Sequence, residues 1–278
     1  MVAGFTSPVS PSSPSTGFIP HPGTLSPMTD APLNPTGCPG DQALYLITLL
    51  FRAILAVSIV LALMILLIPG PAFLAISNYV QILAAIAGSL VFLYCWSRCG
   101  HKESFLWAAY GLGLWGIANI LWYVNVLSGL RALVFPSLID LGMIASFFLL
   151  AVAFRKGFPG EDATPTLRKA VMAVCIIVGF AVVLMSGTLI PFETPAIATI
   201  LYFIACGIFL GECIHYPGMQ NTALFTGSLL FALAFMIYPL REIFFIQSGF
   251  LNIIGTMVSA GFSLIVLGWL PSVTAGQR

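Results

Sequence analysis

Leu44–Ile68 reads LYLITLLFRAILAVSIVLALMILLI, an unbroken apolar stretch in which Arg52 is the sole charged residue. As an α-helix it rises about 37 Å at 1.5 Å per residue, more than the roughly 30 Å of a bilayer's hydrocarbon core. The run is continuous rather than alternating, which argues against a strand, and an open sheet edge leaves backbone groups unpaired in lipid. This segment is therefore predicted to be a transmembrane helix. Seven more apolar runs follow, at about 77–97, 104–127, 133–154, 168–190, 195–214, 222–241 and 249–270. Across the 278 residues there are 10 Lys and Arg and 9 Asp and Glu, against 59% hydrophobic residues. A water-soluble domain cannot hide that much apolar surface. The fold class is all-α: a polytopic membrane helical bundle of about eight transmembrane helices over 44–270, in contact with the lipid bilayer of a cell membrane. The connections are short and leave no room for a soluble catalytic domain.

Residues 1–43 differ. The first forty contain nine Pro, eleven Ser or Thr and neither Lys nor Arg. Such a segment buries too little surface to offset its ordering entropy, so it is expected to be a disordered, partly polyproline tail. It lacks the basic start and apolar core of a signal peptide. Ser-Pro steps at Ser7, Ser13 and Ser26 read either as modification sites or as plain linker. Residues 271–278 form a short C-terminal tail.

Cys95 and Cys99 lie one helical turn apart, but no His or second Cys pair accompanies them, so no metal site is expected. Cys175, Cys206 and Cys213 sit in apolar runs, where cysteine acts as a small hydrophobe. His21, His101 and His215 fall in the tail or in loops, and no intramembrane pair exists to ligate haem. No cofactor and no nucleic-acid partner are expected.

Basic residues near span ends set sidedness. With the N-terminus inside, Arg98, Lys102, Arg155, Lys156, Arg168 and Lys169 face the cytoplasm, against Arg131 and Arg241 outside. Both termini are thus predicted to be cytoplasmic. Arg241-Glu242 leaves the seventh span ambiguous, and counts of seven or nine remain open.

Sliding the chain by about 120 residues lays 44–154 over 168–270. Leu67-Ile68-Pro69 then falls near Leu189-Ile190-Pro191, Ala75-Ile76 on Ala196-Ile197, Gly88 close to Gly207, and Ser128-Gly129 on Ser248-Gly249. Four helices per repeat is an even number, so such a duplication would make the halves parallel, related by an axis along the membrane normal.

Charges inside the spans point to a site. Arg52 reads as a snorkelling arginine or as a pairing group. Asp140 follows Pro136-Ser137 in Phe135-Pro136-Ser137-Leu138-Ile139-Asp140. It is both a first-turn carboxylate favoured by the helix dipole and a charge some seven residues into an apolar run, costly unless paired or protonated. A structural ion pair with Arg131 or Arg241 is one reading; a ligand-binding carboxylate is the other. Trp115, Asn119 and Trp122 share one face of the third span, with Tyr123 beside them. Trp122 and Tyr123 suit an interfacial belt, whereas Asn119 is a buried amide that needs a partner. Trp115, Asn119, Trp122, Tyr123, Asp140, Arg241 and Glu242 converge on the outer half of the bilayer and outline a candidate ligand pocket. Glu212, the other deep carboxylate, is expected near the headgroups. There is no intramembrane Lys, no paired Asp motif, no HExxH and no GxSxG, so no enzymatic activity is expected.

The stretch Leu112–Phe154, with Trp115-Gly116-Ile117-Ala118-Asn119-Ile120-Leu121-Trp122 followed by Pro136-Ser137-x-x-Asp140, resembles the multi-helix membrane sensor modules that precede prokaryotic histidine kinase or diguanylate cyclase domains. The match covers about forty residues, and nothing resembling an output domain follows Leu270. The resemblance implies a sensor-like module signalling through a partner membrane or signalling protein. A small transporter and a structural subunit of a larger membrane complex are the alternatives.

Overall fold

A computed structural model of the chain describes residues 40–68, 70–128, 137–158, 165–185, 194–215, 221–244 and 253–275. Within them, the side chains at 71, 74, 126, 127, 194, 195, 215, 239–244, 272, 274 and 275 are likewise outside the description. The expected tail therefore lies beyond the described residues, as does Arg131. Arg241 and Glu242 are placed by their backbone alone.

Every described element is helical. The order is α1 Asp41–Leu67, α2 Pro71–Arg98, α3 Glu103–Leu127, α4 Leu138–Gly157, α5 Pro165–Met185, α6 Thr194–His215, α7 Thr222–Phe244 and α8 Ile254–Ala275. Seven of these helices are long and apolar enough to cross a membrane. The described apolar part of α7, Thr222–Tyr238, is shorter. Its helix nevertheless runs on through Pro239 and Arg241-Glu242 to Phe244, so this pair marks no break. The chain is a multi-pass helical membrane protein.

Local chemistry sets several boundaries. α2 opens on Gly70 and Pro71, whose fixed φ suits the first helical position and whose missing N–H has no partner to lose there. It closes where Gly100 takes φ 66° and His101 φ 55°, with His101 N–H donating to Trp96 O at 3.2 Å. Left-handed backbone of this kind ends helices and favours glycine. α4 begins at Leu138 rather than near 133, because Pro136 disfavours helix in the residue before it and Ser137 caps the first turn. α8 begins at Ile254 rather than near 249.

Neighbouring helices in sequence mostly pack antiparallel. α2 packs on α3, α3 on α4, α5 on α6 and α7 on α8. Two further pairs run parallel. α2 lies along α8, with a Cβ on Gly88 falling 3.3 Å from Val266 and Phe92 meeting Trp269 at 5.2 Å. α4 lies along α6, with Tyr202 reaching Asp140 while Phe147 and Phe154 both meet Phe209 at 5.5 Å. These two pairs exchange under the offset of about 120 residues, whereas α1 packs on α8 and, among the described residues, α5 has no comparable seat on α4.

Lipid offers no hydrophobic drive between helices, so association rests on close fit and polar contacts. The α7–α8 crossing is the tightest: a Cβ on Gly227 would fall 2.7 Å from Gly261 O, and one on Gly268 would fall 2.6 Å from Leu224 N. An aromatic core fills the middle. Trp115 of α3 meets Phe235 at 4.6 Å, Phe231 at 5.1 Å and Phe262 at 5.8 Å between ring centroids. Phe147 of α4 stacks on Phe231 at 4.4 Å.

Candidate functional site

Asp140 is the third residue of α4, shallower in its helix than the apolar run implied. Its carboxylate closes a capping box. Ser137 N–H and Ser137 Oγ–H both donate to Oδ2 at 2.7 Å, and Ser137 Oγ accepts from Asp140 N–H at 3.4 Å. The other oxygen, Oδ1, accepts from Tyr202 Oη–H of α6 at 2.8 Å. Asp140 is 4% exposed and Tyr202 is fully buried. The carboxylate points into the bundle, held by one amide and two hydroxyls, and meets no cation among the described residues. The expected ion pair with Arg131 or Arg241 falls on side chains outside the description.

Asn119 finds its partner in a residue that sequence reading did not single out. Gln81 Nε2 donates to Asn119 Oδ1 at 2.9 Å, and Asn119 Nδ2 donates to Trp115 O at 3.0 Å. Both amides are more than nine-tenths buried. The available signal was that Asn78 and Gln81 are the only amides in an otherwise apolar second span. Because Asn119 must spend its donor on the Trp115 carbonyl, its oxygen must accept. Gln81 must therefore donate to it, which leaves Gln81 Oε1 turned toward α8.

One turn further along the same two helices, Tyr123 Oη–H donates to Tyr79 Oη at 2.7 Å. Trp122 is half-buried. Trp115 does not share their surroundings: it is 2% exposed in the aromatic core, and its Nε1–H has no acceptor among the described residues. The proposed face thus separates into a core ring, an α2–α3 amide pair and an α2–α3 tyrosine pair.

These groups share a depth. A Cβ on Gly142 would lie 3.6 Å from Ala118 Cβ, setting the first turns of α4 level with Asn119. A Cβ on Gly255 would lie 3.2 Å from Gln81 Oε1, setting the first turn of α8 at that level too. Ser77 and Gln81 are the seventh and eleventh residues of α2, so α8 starts about 9–15 Å along α2. Below this point Ser58 of α1 and Ser259 of α8 share a 2.8 Å hydrogen bond. Two helices thus start inside a polar layer, where the positive ends of their dipoles lie. Asp140 and the α2–α3 amides are bridged by rings: Trp115 meets Phe235, Phe235 meets Tyr202 at 5.0 Å, and Tyr202 binds Asp140.

The opposite end of the bundle carries the ion pairs. Lys156 of α4 pairs with Glu103 of α3 and lies 5.8 Å over the Trp107 ring. Glu212 is 8% exposed and stands 3.4 Å from Arg168 of α5, while its Oε2 has no hydrogen-bond partner among the described residues. Arg52 is exposed on the α1 stripe that also carries Tyr45, Leu49, Ile59 and Leu63. Cys95 and Cys99 are both buried.

No family model matches this chain, and comparison with curated proteins and with solved structures returned no match.

Proposed function

We propose that the chain is a membrane-embedded ligand-sensing module without chemistry of its own, and that it takes a small donor-bearing ligand beside Asp140. One observation carries this reading: a buried carboxylate that meets only neutral donors among the described residues, at the head of a ring pathway that ends on an indole N–H with no acceptor among those residues. A carboxylate buried inside an apolar bundle is costly, and retaining one favours a role beyond packing. Tyr202 is placed to report occupancy, since its ring touches Phe235 and its hydroxyl touches the acid. The likeness of 112–154 to prokaryotic sensor modules supports the same reading, with output through a partner membrane or signalling protein. The charge bias of the loops supports a reading in which this end of the bundle faces outside and both termini are cytoplasmic.

The test is thermal stability in nanodiscs across a panel of small amines, alcohols and amides. Stabilisation by a compound that disappears in Asp140→Asn supports the reading; stabilisation that persists unchanged in that variant overturns it.

Transport is the second reading, favoured by the deep start of α8, since secondary transporters place helix ends at mid-membrane binding sites. Uptake of the stabilising compound into proteoliposomes, driven by a gradient, separates transport from sensing.

A further inference from the structure

α1 is held to the bundle along a narrow stripe that includes Phe51, Ile54, Ser58 and Leu61. On its outward side Tyr45, Leu49, Arg52, Ala56, Ile59 and Leu63 are all exposed. They recur at alternating steps of four and three, the spacing of the seam along which two helices cross left-handedly. A purely apolar seam needs nothing but lipid to cover it. Arg52 changes that, because it sets a permanent charge in this one.

The depth of Arg52 follows from the helices beside it. Ser58 bonds Ser259, the sixth of the 22 residues of α8. α1 runs antiparallel to α8, since only residues 68–70 separate it from α2 and α2 lies parallel to α8. Six residues back from Ser58, Arg52 therefore stands level with Ile265, the twelfth residue of α8. Counting through α2 gives the same level. Arg52 precedes the end of α1 by fifteen residues, and fifteen residues past Pro71 lies Ile86, two before the Gly88 whose Cβ would meet Val266. From Ile265 the helix α8 has ten residues left, or about 15 Å. An extended arginine side chain spans only about half that distance, so snorkelling leaves the guanidinium short of the level where α8 ends. A cation at such depth is costly unless an anion meets it.

Neither the described carboxylates nor a second copy supplies that anion. The described ion pairs join Lys156 to Glu103 and Arg168 to Glu212. Asp140 and Glu212 are buried between other helices, one the third residue of α4 and the other the fourth from the end of α6. Two α1 seams related by a two-fold axis along the membrane normal would bring Arg52 against Arg52 at one depth, where like charges repel. We infer that the outward seam of α1 is a docking surface for a transmembrane helix of a different membrane protein, one that carries an aspartate or glutamate close to its own midpoint. The guanidinium offers a planar fork that a carboxylate meets with two hydrogen bonds. Ala56, one turn on, lets the partner backbone approach closely. The inference names the chemistry of a membrane partner for the sensing module, yet it rests on α1 alone and holds whether or not Asp140 binds a ligand.

The probe is a labelled synthetic Leu/Ala transmembrane peptide of about 24 residues with one central Glu. Two companion peptides carry Gln at the centre, or Glu moved three turns toward one end. Each is mixed with the full chain in phosphatidylcholine vesicles, and association is read by energy transfer. The central-Glu peptide is expected to bind about tenfold more tightly than either companion. Arg52→Leu should abolish that preference and raise the thermal midpoint of the chain alone, because it takes an unmatched charge out of lipid. The three peptides compared on the native chain keep the test decisive if the variant does not fold. Equal binding of all three would overturn the assignment, as would a preference that survives Arg52→Leu. A lower midpoint for Arg52→Leu would show the arginine already used within the chain and would overturn it too. So would α1-to-α1 energy transfer between native copies, or loss of the preference when phosphatidylglycerol is added, which would assign Arg52 to a lipid headgroup.

Discussion

α4 and α8 begin in the same layer, each beside a helix that runs parallel to it, yet their first turns are served in opposite ways. α4 carries its own anion: Ser137 and Asp140 cap each other, and Tyr202 of α6 completes the carboxylate's bonding. α8 is met from outside, by the neutral oxygens of Ser77, Asn78 and Gln81 on α2. Tyr202 and Gln81 are 121 positions apart and occupy corresponding places, one reaching the third residue of α4 and the other the second residue of α8. One architectural position thus holds a charged group in one half and an uncharged set in the other. A helix N-terminus can be stabilised by a carboxylate of its own or by dipoles supplied across a contact.

The comparison is most readily broken on the α8 side, where backbone meets backbone. Gly227→Val places its side chain against Gly261 O and the Ile265 amide, groups that cannot swing aside. It should lower stability by about 3 kcal/mol or more, read from reversible unfolding in detergent. On the α4 side, Tyr202→Phe removes one donor from a buried carboxylate without changing the ring. A loss of about 1.5–3 kcal/mol is expected, and Asp140→Asn in the same background should recover part of it. Ser137→Ala strikes the cap alone and should cost about 1 kcal/mol, with α4 fraying visible as faster amide exchange over 138–141. The smallest effect concerns the amide pair. A double-mutant cycle over Gln81→Leu and Asn119→Leu should return a coupling of about 0.6–1 kcal/mol, and a coupling of zero would unlink α2 from α3 at this level.

Much of this protein was legible in its chain because membrane crossing is a one-dimensional property. A run such as Leu44–Ile68 must be helical wherever it packs, since lipid supplies no hydrogen bonds to the backbone. All eight expected spans match their helices to within about six residues at both ends, and the two that start late, α4 and α8, do so where the polar layer lies. Asp140 and Asn119 were visible as costly side chains in apolar runs. Gln81 was not weighed, because an amide near a span end, with Asn78 close by, announces no partner. Trp115 looked equivalent to Trp122 from spacing alone, yet it lies in the core while Trp122 is half-buried; helical periodicity gives a face without saying what that face meets.

By itself, then, the amino-acid order determined the solvent, the secondary structure and which residues were out of place in lipid, since all three follow from local hydropathy and backbone satisfaction. Tertiary structure alone decided their company: that Asp140 bonds a tyrosine of α6, that Asn119 bonds an amide of α2, and that α8 starts beside three oxygens. Those pairings depend on which helices become neighbours and at what relative depth. In a bundle whose faces are nearly all apolar, few surface patterns tell one neighbour from another, and only the packed arrangement brings distant polar groups within a hydrogen bond of each other.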